Sequence, residues 1–162
     1  MRKKGERGLT GRGERGLTLV ELIVAFTIMA LLTTMSVPLV RYRVQRDRER
    51  DLRRAIDTIN KAIDDYKDAA IQQKIEVKLG TDGYPESLEQ LVEGVKLLQS
   101  AEGKKIKFLR KIPLDPMTNS YDWGKRSTQD DPKSTSWGGQ NVFSVYTKST
   151  ERARDGTPYS EW

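Results

Sequence analysis

The sequence predicts an α+β fold: one long N-terminal helix packed on a small antiparallel sheet, with a loop-rich C-terminal region. Three observations point there. Residues 17–40 form an apolar run whose single charged residue is Glu21. Directly after it, Leu52, Ile56, Ile59, Ile63, Tyr66 and Ala70 recur at steps of four and three, which is one apolar stripe on a helix. Further on, Tyr121-Asp122-Trp123-Gly124 and Val142-Phe143-Ser144-Val145-Tyr146-Thr147 are rich in aromatic and β-branched residues, and Gly138-Gly139 supplies a turn between them.

Each element has its own physical reason. At 1.5 Å per residue, residues 17–40 reach roughly 36 Å as a helix, against about 30 Å for a hydrocarbon core. The helix is expected to continue through residues 42–73, with Arg53, Asp57, Lys61, Asp64, Asp65 and Lys67 on the wet face and Glu49 and Arg53 spaced to pair. Thr81-Asp82-Gly83-Tyr84-Pro85 reads as a turn. Residues 86–95 read as a short helix with Leu88, Leu91, Val92 and Val95 inward, and residues 148–162 as a closing loop. The organisation is therefore a basic leader at 1–16, a transmembrane segment at 17–40, an amphipathic continuation at 41–80 and a small α/β head at 81–162.

Composition removes whole classes of chemistry. The 162 residues include no cysteine and no histidine. Disulfides, thiolate metal sites, cysteine nucleophiles, Ser-His-Asp triads and most zinc sites are excluded. The net charge is +6, but residues 1–16 hold six basic and two acidic side chains, so only +2 remains for the rest. The arginines of residues 41–54 could bind nucleic acid or lipid headgroups, but acids are interleaved throughout and the preferred reading is a solvated or inter-subunit face, with no nucleic-acid partner expected.

The N-terminus admits two readings. A secretory signal has an apolar stretch of about 7–15 residues followed by a small-residue cleavage site. Here the stretch is longer and no such site follows. The alternative is a cut before the run, at Gly16-Leu17-Thr18-Leu19-Val20-Glu21. On these residues the chain resembles the type IV pilin family, including the pseudopilins of type II secretion systems. The resemblance implies that a prepilin peptidase cuts after Gly16 and that Leu17 becomes an N-methylated N-terminus. It implies that Glu21, fifth after the cut, directs subunit assembly, and that Pro38 kinks the helix. Leu17 stands where most members have phenylalanine. The leader repeats Gly5-Glu6-Arg7-Gly8-Leu9-Thr10 as Gly13-Glu14-Arg15-Gly16-Leu17-Thr18. No apolar run follows Gly8, and the fifth residue after it is Gly13, so only the second copy fits a cut at the membrane surface.

A carboxylate inside a span costs about 2.5–3.5 kcal/mol on insertion scales, and intramembrane charges are functional candidates by default. One reading is a charge near the helix start that reaches the headgroups. The other is that Glu21 pairs with the amine freed on Leu17 of a neighbouring copy, each charge relieving the other's burial. The basic leader favours a cytoplasmic N-terminus, while Arg41, Arg43, Arg46, Arg48 and Arg50 on the other flank pull the opposite way. The resemblance places the precursor in the inner membrane and the head in the periplasm.

Beyond the run, Tyr84-Pro85 with Leu88 and Leu91, and Phe108 to Pro116 with its Asp115-Pro116 step, are most similar to the major pseudopilin of type II secretion systems. The implied partners are copies of the chain, minor pseudopilins, the prepilin peptidase, the inner-membrane assembly platform and, before assembly, the lipid bilayer. The implied function is a structural subunit of a pilus-like filament that drives type II secretion. A type IV pilin or minor pilin for adhesion, motility or DNA uptake is the alternative. A membrane-anchored enzyme comes last, since no catalytic constellation is recognisable. The resemblance also offers calcium as a cofactor. Oxygen donors include Asp122, Asp130, Asp131, Ser149, Glu151, Asp155 and Glu161, but Arg152 and Arg154 stand where the family's acidic loop is expected, and no ligands are assigned.

Overall fold

A helix starts where a side chain replaces the missing backbone acceptors, and Thr18 does so here: its hydroxyl accepts the Glu21 N–H at 3.3 Å and its carbonyl accepts the Leu22 N–H at 3.1 Å. From this cap α1 runs Leu19–Ile71, 53 residues. The structure, a computed structural model, describes residues 18–98 and 103–162, and their side chains except at positions 35–41. The chain divides into two units, Met1–Arg43 and Val44–Trp162, and α1 contributes to both. α1 ends two residues before the expected Gln73. Gln73 adopts a positive φ of 53°, its N–H reaches the Ala70 carbonyl, and the Lys74 N–H reaches that of Ala69. This pair of backward bonds is a Schellman stop, with glutamine in the position glycine usually fills.

In the second unit the expected stripe is the core-facing one. Leu52, Ile56, Ile59, Ile63 and Tyr66 are buried, joined by Ala55, Ala62 and Ala69 on the same side. They pack against Leu88, Leu91, Leu109, Trp123, Val142, Val145 and Tyr159. Tyr66 also meets Phe108 edge to face, with ring centroids 5.3 Å apart.

The short helix α2 is Leu88–Glu93, trimmed at both ends relative to expectation. Ser87 is extended, and Gly94 turns out of the helix at φ 83°. Val95, expected inside the helix, instead opens β1 (Val95–Lys96), paired antiparallel with β2 (Lys105–Ile106). Gly94 sets this switch: a Cβ there would lie 2.6 Å from the Ile106 carbonyl oxygen. The second ribbon pairs β3 (Gly124–Arg126) with β4 (Ser144–Tyr146), again antiparallel, with Lys125 opposite Val145. β4 falls inside its expected range, whereas β3 begins where its expected range ends. The aromatic density of residues 121–123 serves an anchor rather than a ladder: Trp123 is buried and its indole N–H donates to the Pro113 carbonyl at 2.8 Å. The outcome is α+β, a long helix packed with small antiparallel strand pairs, consistent with a pilin-like fold.

Gly124 leaves no room for a side chain, because a Cβ would fall 2.3–2.6 Å from the ring of Tyr146. Gly124→Ala is expected to destabilise the head by about 1–3 kcal/mol, read as a lowered midpoint in chemical denaturation of the full chain in detergent.

Candidate functional site

The described part of the first unit is the start of α1, and its described apolar side chains are exposed all round. Leu19, Val20, Ile23, Phe26, Met29, Leu31 and Leu32 are all more than half exposed in the single chain. A helix that is apolar all round belongs inside lipid or inside a bundle. Its polar groups are already arranged for that setting. The hydroxyls of Thr27, Thr33 and Thr34 each donate to the carbonyl four residues back, at 2.7, 2.7 and 2.8 Å. None of these hydroxyls needs water as an acceptor. Among the described residues no helix is long and apolar enough to cross a membrane. The described side chains of the apolar run stop at Thr34, short of its end at Val40.

Glu21 sits in the first turn of this helix, three residues after the Thr18 cap, and its carboxylate is exposed. There it meets the positive end of the helix dipole. Gly16 and Leu17 lie outside the described residues, and so does the side chain of Pro38; the helix assignment itself is continuous through position 38. Thr18 is the one member of this site that sequence reasoning passed over. Its signal was present: Thr18-Leu19-Val20-Glu21 has the spacing of a capping box at the head of an apolar run.

Residues 11–37 match the model of the prokaryotic N-terminal methylation motif. This motif is typical of type IV pilin-like proteins, is structural rather than enzymatic, and implies processing by a prepilin peptidase and self-assembly. The matched segment contains Gly16, Leu17, Thr18 and Glu21 and stops just before Pro38. No curated protein and no solved structure matches the chain.

The oxygen donors considered for calcium do not converge. Asp122 is bound to Lys148 at 2.6 Å and Glu161 to Lys133 at 3.5 Å. Asp130 accepts the Ser127 and Gly138 backbone N–H groups at 2.7 and 3.1 Å, which hold its carboxyl below the usual carboxylate range. Asp155 does the same for the Thr157 N–H and is lowered for the same reason. Asp131 accepts the Lys133 N–H at 2.8 Å, and Ser149 accepts that of Glu151 at 3.2 Å. Each tightens its own loop, and among the described residues no three acids gather around a common point.

The closing segment is held by other means. The guanidinium of Arg126, 8% exposed, donates from Nε to the Ser134 carbonyl at 3.0 Å and from a terminal nitrogen to that of Ser160 at 2.9 Å, and it lies over the Tyr146 ring. One buried cation thus ties two loops by their carbonyl oxygens. Tyr159 is buried, accepts from Gln45 at 3.0 Å and donates to Glu49 at 2.8 Å. Burial is the first cause that pushes its hydroxyl above the ordinary tyrosine range. Trp162 meets Tyr159 edge to face and receives the Arg53 guanidinium on its face at 4.0 Å. Glu49 and Arg53, spaced to pair with each other, are each engaged by a residue of the C-terminal segment instead. The Asp115-Pro116 step is a structural hub as well: fully buried Asp115 accepts from the Met117 N–H and from the hydroxyls of Thr118 and Thr147, the last at 2.6 Å.

Two outcomes are expected. Asp115→Ala leaves those three donors without their acceptor and lowers stability by roughly 2–4 kcal/mol, measured by chemical denaturation. Adding a chelator leaves the melting temperature of the full chain unchanged; a drop on chelation that calcium reverses would overturn this reading of the closing segment.

Proposed function

We propose that this chain is a structural subunit of a pilus-like filament, made as a membrane-anchored precursor, cut after Gly16 and N-methylated on Leu17. One observation carries the reading: an apolar helix exposed on every side, opened by a single carboxylate, within a prepilin-type methylation motif. Before assembly the bilayer covers that helix; in the filament the same helices of other copies replace the lipid. Glu21 then pairs with the amine of Leu17 on a neighbour, so that one register between subunits is preferred over others. The N-methylated amine keeps its positive charge.

The filament is the pseudopilus of a type II secretion system, built on an inner-membrane platform with minor pseudopilins and pushing exported protein outward. Support comes from the two segments similar to major pseudopilins, which occupy determining places in the head. Pro85 offers its carbonyl to the Val142 N–H at 2.7 Å, and Asp115 organises the buried hub. A chain without cysteine that relies on polar fasteners of this kind suits the same role.

The mature protein is expected to begin at Leu17 with one added methyl group, read by N-terminal sequencing and intact mass; any other first residue removes the cut. Glu21→Val is expected to leave the precursor inserted and processed but to reduce sheared filament by about ten-fold or more. Normal filament yield from that variant would overturn the role of Glu21.

A further inference from the structure

Within the second unit α1 presents an exposed outward face to solvent. Arg46, Arg50, Arg54, Asp57, Asp64 and Asp68 are all exposed and recur at helical steps on the side opposite the buried Leu52 and Ile59. Their charge is segregated along the axis: three arginines come first and three aspartates follow. Lys61 interrupts the acidic half without reversing its sign, since Asp65 lies beside it. The basic half is only loosely satisfied internally, by exposed contacts of Arg50 with Asp47 at 3.4 Å and Arg54 with Asp51 at 3.5 Å. Exposed pairs of this kind contribute little to stability. Asp57, Asp64 and Asp68 have no ion pair or side-chain hydrogen bond among the described residues. A charged face is normally left to water, but one divided into opposite halves is complementary to itself.

We propose that this face is an interface between copies: the aspartates of residues 57–68 on one copy dock on the arginines of residues 46–54 on a parallel copy. The two are displaced by about 21 Å along the helix axis, the rise from Arg50 to Asp64 at 1.5 Å per residue. The inference rests on the filament reading above. Opposite halves can meet in two ways. An antiparallel pair satisfies both halves at once and closes as a two-fold dimer. A parallel, staggered pair leaves a free half at each end, is head-to-tail and does not close. The filament reading decides between them, because copies anchored in one membrane enter with the same orientation and are therefore parallel. Each added copy then presents the same acidic half to the next, which is what an open filament needs.

The absence of cysteine makes the test direct. The full chain is expressed with its assembly machinery, carrying Arg50→Cys together with Asp64→Cys, and sheared filaments are oxidised. The expected result is a disulfide ladder of trimers and longer species, with dimers at most from either single variant. In parallel, Arg46→Glu with Arg50→Glu, and Asp64→Lys with Asp68→Lys, each lower filament yield by about ten-fold, and combining all four restores it. Dimers alone from the double-cysteine chain would establish the antiparallel pair and overturn the proposal. Loss with the arginine variants only, unrescued, would assign that half to anionic lipid headgroups and overturn it equally. Absence of filaments from the unmodified chain would sink the filament reading itself, whereas normal filaments that neither cross-link nor respond to charge reversal would sink only this interface.

Discussion

The described apolar side chains at the start of α1, from Leu19 to Leu32, lie exposed in the single chain, and much else in this molecule answers to that constraint. An apolar cylinder cannot rest in water at a cost of about 25 cal/mol per Å² of exposed apolar surface. It must be covered by lipid or by its own kind. The threonine hydroxyls that fold back on the helix and the Thr18 cap at its start are what such an environment demands. Glu21, a carboxylate in the first turn of this apolar stretch, resists burial, and in the proposed filament it is the residue through which a partner is chosen.

The second unit solves a different problem: how a small domain stays closed without a disulfide. The buried face of α1 supplies the apolar core. Three polar fasteners supply the rest, namely the Asp115 hub, the Arg126 cross-tie, and the aromatic clasp of Tyr159 and Trp162 on Gln45, Glu49 and Arg53. All three join segments distant in sequence, so they restrict the chain in much the way a covalent bridge would. The clasp also occupies one side of α1 above the core, so the charged outward face is the side left open.

Much of this was legible in the residues alone. The period of Leu52, Ile56, Ile59, Ile63 and Tyr66 identifies the buried face because helix geometry leaves no alternative. The spacing of Gly16 and Glu21 falls inside the matched methylation motif. What was not legible depended on contacts at long range. Val95 leaves the helix because of a strand ten residues away, and Gly94, its hinge, signals the exit only once that strand is in place. Glu49 and Arg53 read as a local pair because helical spacing is visible in sequence and a docking C-terminal segment is not. β3 was misplaced because aromatic density looks the same whether a residue joins a ladder or anchors an indole under Pro113.

The strands themselves have a consequence for polymerisation. Each is two or three residues long, in ribbons of two. An edge so short offers hardly any unpaired backbone to template a further strand. Among the described residues the strands therefore offer little to a cross-β fibre, and the filament proposed above joins its copies through side-chain surfaces. A polymer joined that way lacks the dry, backbone-stitched zipper that makes amyloid so hard to dissolve. Under the proposed reading such a filament is free to lose subunits one at a time and return them to the pool from which they were drawn.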